Sequence, residues 1–273
     1  MEYGILIISG VIGGIIAGML GLGGGIFYIL ILPYIMEWAG IPSTHTPAFV
    51  IANSLIGIAS ASGISIISQF THLRKYWKES LRIGIAATIF SLLTTKYIVY
   101  SPWYSEEAFN IMVILLMLYI LFQMQMKKNI HHKEGNTADE ISLKIGSLSG
   151  MGAGIVSALS GLGGGIIIIP LLQIRLHQSV KKAKLISLSI IFISSVFISI
   201  QNILSEPDFI PKGIAHWGFV IPSIAFPIIL GVIMGGPLGV KLSNKMNDRL
   251  LNHFFSLFVV MVLVEKLFNL FST

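Results

Sequence analysis

A five-residue motif, Gly21-Leu22-Gly23-Gly24-Gly25, returns 140 positions later as Gly161-Leu162-Gly163-Gly164-Gly165, each time inside a long apolar run. Four glycines in five positions break a helix, because each costs about 1 kcal/mol relative to alanine. In lipid the released backbone groups have no water to bond. Such a break survives at membrane depth only when it is buried in protein or lines a wet cavity. Two matched breaks, one in each half of a chain, are the sequence mark of a transporter site built where helices stop.

The membrane setting follows from composition. Charged residues make up 11% of the 273 residues, hydrophobic residues 54%, and mean hydropathy is +0.84. Soluble domains carry roughly 25% charged residues. The net charge of +6 does not indicate nucleic acid as a partner, because the basic residues fall in short stretches between apolar runs, where they act as topology signals. The chain has no cysteine, which excludes disulfides and thiolate metal sites. The N-terminus lacks the basic region and cleavage site of a signal peptide and reads as the first membrane segment.

Residues 4–36 and 144–174 are too long for one crossing and are each expected to fold as a hairpin at the glycines. Spans are predicted over 48–70, 81–99, 108–126, 185–204, 216–240 and 250–271. The polar stretch from Lys127 separates the halves, giving a first membrane repeat (1–126), a cytoplasmic linker (127–143) and a second repeat (144–273). Stretches rich in Lys and Arg stay in the cytoplasm. That rule puts 71–82, 127–143, 175–184 and 241–249 inside, and 37–47, 100–107 and 205–215 outside. The first hairpin then enters from outside and the second from the cytoplasm. The fold class is an all-α polytopic membrane protein of two inverted repeats, each a glycine-broken helical hairpin plus three transmembrane helices. Two further matches support a duplication: Trp77 with Trp217, and Ala48-x-x-x-Ala52-x-Ser54 with Ala183-x-x-x-Ser187-x-Ser189.

These motifs, with Gly235-Gly236-Pro237-Leu238-Gly239, resemble the sulfite exporter TauE/SafE family over essentially the whole chain. The resemblance implies secondary transport of sulfite, sulfonates or related small organic anions. The Ala52-Asn53-Ser54 opening differs from the Ala/Gly-Thr-Ser type expected in such a protein, and Leu188 stands opposite Asn53.

The second arm of each hairpin begins at the glycines with N–H groups that lack an intrahelical partner and with the positive end of its dipole. A small anion can accept those hydrogen bonds without a basic side chain. The expected substrate-binding residues are Gly23, Gly24, Gly25, Gly163, Gly164 and Gly165, with Asn53, Ser54, Ser187 and Ser189 completing the shell. The first arm also ends there, in carbonyls, which leaves a cation open. Gly10, Gly14, Gly18, Gly150 and Gly154 read as helix-packing positions. Ser60, Ser62, Ser65 and Ser68 read as a packing face, and Gln123, Gln201 and Asn202 as interfacial. Lys96 and Glu265 are expected to reach for the interface. No cofactor and no metal is assigned. The expected partners are a small anion, the bilayer and a second copy in a homodimer, with no nucleic acid. The expected location is the cell membrane, in a bacterium the inner one. The alternatives are an anion channel, or a membrane-embedded enzyme or assembly factor, which would need a nucleophile–base pair or metal cluster at membrane depth.

Overall fold

The structure, a computed structural model, describes residues 3–127, 141, 143–175, 178, 180–210, 213–246 and 248–272. Most of the linker, 128–140 and 142, lies outside the described residues. The rest is helical, with no strand among the described residues. Among the described residues six helices are long and apolar enough to cross a membrane, Tyr3–Leu20 in the first hairpin being one of them.

The first apolar segment breaks where the glycines require it. Helix α1 (Tyr3–Leu20) stops, Gly21, Gly23 and Gly24 adopt left-handed φ near +75° to +78°, and α2 (Gly25–Trp38) begins. The second does the same. Helix α7 (Leu143–Ser160) stops, Gly161, Gly163 and Gly164 have φ of 65° to 87°, and α8 (Gly165–Pro170) begins and continues as a π-helical turn to Arg175. Gly24 lies flush against the Gly13 carbonyl and Gly164 against the Ala153 carbonyl. Each segment therefore doubles back along its own first arm.

The remaining helices are α3 (Thr46–Ile67), the single turn α4 (Phe70–Leu73), α5 (Trp77–Thr94, continued by a π turn to Val99), α6 (Glu106–Lys127), α9 (Val180–Leu204), α10 (Pro222–Lys245) and α11 (Asp248–Ser272). Several basic stretches expected as loops are helical instead. Residues 70–76 form helical turns, Lys182 and Lys184 belong to α9, and Lys241 and Lys245 close α10. Residues 216–221, expected in a span, form a turn in which Trp217 and Val220 exchange hydrogen bonds before α10 starts.

Glycine decides the packing. Helix α1 lies on α10, with Gly10 against Ile228 and Gly231, Gly14 against Val232 and Gly236, and Gly18 against Gly236 and Val240. Both sequences ascend together, so the two helices run parallel. Helix α7 lies parallel on α5 in the same manner, with Gly146 against Ile83, Gly150 against Ile83 and Ala87, and Gly154 against Ala87. Close backbone approach of this kind drives association where no hydrophobic effect operates between helices. It also gives a register of matching contacts in the two helix pairs. Gly10 meets the Ile228 carbonyl as Gly150 meets that of Ile83, so Ile83 corresponds to Ile228. On that register of contacts Trp77 matches Pro222, five residues beyond Trp217.

The segments grouped by charge come together in space. Glu37, Ser43, Thr44, Ser105, Glu106 and Glu107 line one cavity of about 760 Å³, and His45 stacks on Phe209 at 5.4 Å. At the opposite end Lys182 pairs with Glu79 at 3.7 Å, and Lys184 reaches Ser243 at 2.8 Å. All four tryptophans are at least half exposed. Trp77 stands at the basic end and Trp38, Trp103 and Trp217 at the other, as two interfacial belts require. Ile85, Ile89 and Leu93 on α5 are exposed at helical spacing, as a lipid-facing stripe would be.

Candidate functional site

Helices α3 and α9 cross at the centre of the molecule, and the two glycine tips lie between them. The fully buried side chains of Ile58 on α3 and Ile191 on α9 mark the crossing. Gly23 and Gly163 both face this pair: a methyl group on Gly23 would sit 2.8 Å from Ile58 Cγ2, and one on Gly163 would sit 3.1 Å from it. The tips also touch each other. A methyl group on Gly25 would come within 2.8 Å of the Gly161 carbonyl oxygen, and one on Gly165 within 3.4 Å of the Gly21 carbonyl oxygen.

Two serines fasten the tips crosswise. Ser54 Oγ donates to the Gly161 carbonyl at 2.8 Å, and Ser187 Oγ donates to the Gly21 carbonyl at 3.2 Å. Each helix that follows one tip thus holds the other tip. Ser54 therefore corresponds to Ser187, and not to Ser189 as the sequence pairing had it. Ser189 turns its hydroxyl back to the Leu185 carbonyl at 2.9 Å and does not reach the tips. The reason is helical geometry: positions 187 and 189 point about 200° apart.

Asn53 lies in this region with every side-chain group engaged. Its Nδ2 donates to the carbonyls of Phe49 and Phe219 at 2.8 and 3.1 Å, and its Oδ1 accepts the Ile221 N–H at 3.0 Å. It pins the turn before α10 to α3. Asn202, expected at the interface, is 1% exposed and accepts the Tyr100 hydroxyl at 2.7 Å. Burial pushes the Tyr100 phenol up to about 12, so it keeps that proton. Of the serine series, Ser62 and Ser65 are buried, and all four hydroxyls bond the carbonyl four residues back. Lys96 is exposed beside the Tyr97 ring. Glu265 instead faces α2, where it accepts from the Tyr34 hydroxyl at 3.0 Å and Asn269 at 2.7 Å. Lys266, 1% exposed, lies 3.3 Å from it.

What the tips offer is backbone N–H. Gly24 and Gly164 are the N-caps of α2 and α8, and neither is capped by a side chain. The N–H groups of Gly23 to Ile26 and of Gly163 to Ile166 have no acceptor among the described residues, whereas Phe27 and Ile167 bond back to Gly24 and Gly164 at 3.1 Å. Buried backbone N–H groups are otherwise nearly always paired. Two rows of unpaired donors meeting beside two broken helices form a centre suited to a ligand that accepts hydrogen bonds.

Helices of this number and hydropathy, broken in pairs at a shared centre, define a membrane transporter. Residues 6–265 match the family model described as sulfite exporter TauE/SafE, and the chain belongs to that family. It is 30% identical over 247 residues, 90% of this chain and 88% of the other, to a protein of Methanocaldococcus jannaschii named a probable membrane transporter. No solved structure matches. The chain is an integral membrane transporter and not an enzyme.

Proposed function

We propose that this chain is a secondary carrier of small anions, of the sulfite, sulfonate or related organic-anion class. The substrate binds between the glycine tips at Gly23–Gly25 and Gly163–Gly165 and is released to alternate sides of the cell membrane, in a bacterium the inner one. The observation that carries the reading is the double row of unpaired N–H groups. Sulfite and sulfonate oxygens accept several such bonds at once, and glycine lets them approach the backbone. Ser54 and Ser187 stand at the same centre and retain lone pairs, but their protons are engaged in this closed arrangement, so substrate entry exchanges the serine contacts for its own.

The halves are read as inverted repeats. Support comes from direction: α1 runs parallel to α10, which leads from the acidic toward the basic end, and α7 runs parallel to α5, which leads from the basic toward the acidic end. The first hairpin then opens outward and the second toward the cytoplasm. Contact between the tips favours a carrier over a channel, since a channel needs a continuous path. The test is labelled sulfite flux into liposomes containing the purified protein, with sulfonates and carboxylates as competitors. Saturable, competed flux and counterflow are expected. Folded protein giving no flux for any anion would refute the reading, and flux that never saturates would favour the channel.

A further inference from the structure

A broken helix is electrically ambiguous. The second arm presents about half a positive charge through its N–H groups, and the first arm ends at the same place with about half a negative charge through its carbonyls. Something must cancel the carbonyl end if the tip is to prefer anions. At the first tip that group is Lys184. The sequence places it in a basic loop, but it sits in the second turn of α9, partly buried. Its Nζ donates to the carbonyls of Gly18 at 2.5 Å and Met19 at 2.9 Å, the last turn of α1, and to Ser243 Oγ at 2.8 Å. No carboxylate pairs with it among the described residues, and its stem packs on Gly21. Its counterpart in the first half, placed the same way against Gly161, is Ile51.

The second tip is treated differently. Its carbonyl end is taken by Tyr104, whose hydroxyl donates to the Leu159 carbonyl at 2.6 Å. Leu159 is the counterpart of Met19 on the register of the glycine motifs. Burial holds the Tyr104 phenol above its ordinary value, so it is a permanent, neutral donor. Both carbonyl ends are capped, and both rows of N–H groups are left open.

We infer that Lys184 and Tyr104 set the charge preference of the centre: by capping the carbonyl ends of the two first arms they turn an ambiguous helix break into an anion site, and Lys184 adds to it an uncompensated positive charge. All three ammonium protons are used, so Lys184 is a positioning residue and does not ligate the substrate. The inference rests on the carrier reading above. Its placement also makes the site lopsided, with a full charge at one tip and a neutral donor at the other.

The experiment is sulfite uptake into liposomes by the full chain and by Lys184→Met, Lys184→Gln, Lys184→Arg and Tyr104→Phe, after each is shown to be monodisperse with an unchanged melting temperature. Lys184→Gln keeps two donors and removes the charge. Lys184→Met and Lys184→Gln are expected to raise KM about tenfold with a smaller change in maximal rate, Lys184→Arg to stay within threefold, and Tyr104→Phe to raise KM about threefold. Inhibition by the dianion sulfate is expected to weaken more than inhibition by the monoanion methanesulfonate, a difference that a general loss of packing would not produce. A folded Lys184→Gln with the native KM and native sulfate-to-methanesulfonate ratio overturns the inference. If neither neutral variant of Lys184 folds, an unchanged KM in Tyr104→Phe overturns it. Absence of flux in the native chain refutes the carrier reading instead.

Discussion

Replacing Gly25 by alanine probes the contact between the two tips directly. Gly25 has an ordinary helical conformation, so the substitution is not strained in φ. The added methyl group would lie 2.7 Å from Ile58 Cδ1, 2.8 Å from the Gly161 carbonyl oxygen and 2.8 Å from Leu162 Cα. The isoleucine end can swing away, but the other two atoms are backbone. They must retreat by about 0.6 Å to reach the 3.4 Å of ordinary contact, so the tips must part. Overpacking of this sort costs about 1–3 kcal/mol. The cost falls on the closed arrangement alone, because separated tips have room for a methyl group. A shift of that size changes the ratio of closed to open states roughly 5- to 150-fold. In liposomes Gly25→Ala is expected to lower the maximal rate of sulfite uptake by about tenfold or more. A single cysteine at Ile58, introduced into this naturally cysteine-free chain, is expected to label faster with a soluble thiol reagent in the same background. Gly4→Ala and Gly152→Ala are the controls: a methyl group at either meets nothing within 4 Å, and helix propensity makes each neutral or stabilising by up to about 1 kcal/mol. Native kinetics and native labelling in a folded Gly25→Ala protein would refute the idea that tip contact defines the closed state.

Other substitutions test separate contacts. Ser54→Ala and Ser187→Ala each remove one cross-tip hydrogen bond, and each is expected to destabilise the closed state by about 1 kcal/mol, read as faster labelling at position 58; a rate unchanged in both would mean that the crosswise bonds do not hold the tips. Asn53→Leu strands the buried Phe219 carbonyl and Ile221 N–H at about 1–3 kcal/mol each. A melting temperature within a degree of the native value would contradict its role as a pin. Gly14→Leu drives a side chain into the backbone of Val232 and Gly236 and is expected to abolish folded protein in size-exclusion analysis, whereas recovery of monodisperse protein would mean that α1 and α10 can pack farther apart. Cysteines at Ser43 and Glu107 are expected to label from one side of the membrane and cysteines at Lys78 and Lys245 from the other. Any mixing of the two sets would refute the sidedness.

The breaks were legible because glycine is. No other residue tolerates three left-handed positions in four, and the repeat of Gly21–Gly25 at Gly161–Gly165 located both tips without a structure. Loop charges were legible for a similar reason: Glu37 and Glu106 do lie together, as do Lys182 and Glu79. What could not be read was side-chain destination. Lys184 looks like its neighbours Lys181 and Lys182 in sequence, yet a helix started at Val180 carries it inward to the carbonyls of Gly18 and Met19. Ser187 and Ser189 were indistinguishable until the phase of α9 was known. Asn53 looked like a donor for substrate because its partners, Phe219 and Ile221, lie more than 160 residues away. Matching contacts also differ in spacing between helices, so spacing alone set Trp77 against Trp217 and could not match Ser54 to Ser187. Tyr104 carried no signal, since its acceptor is a backbone carbonyl and any residue supplies one.

The packing of α1 on α10 also sets a timetable. Helix α1 leaves the ribosome with its glycine face matched to a helix that begins about 200 residues later. At about 5–20 residues per second, that face waits roughly 10–40 s for its partner. Through that interval α1 must stay inserted on its own apolarity, with Gly10, Gly14 and Gly18 covered by lipid or by another membrane protein. Premature termination anywhere before Pro222 would leave a stripe shaped for close association and nothing in the same chain to fill it.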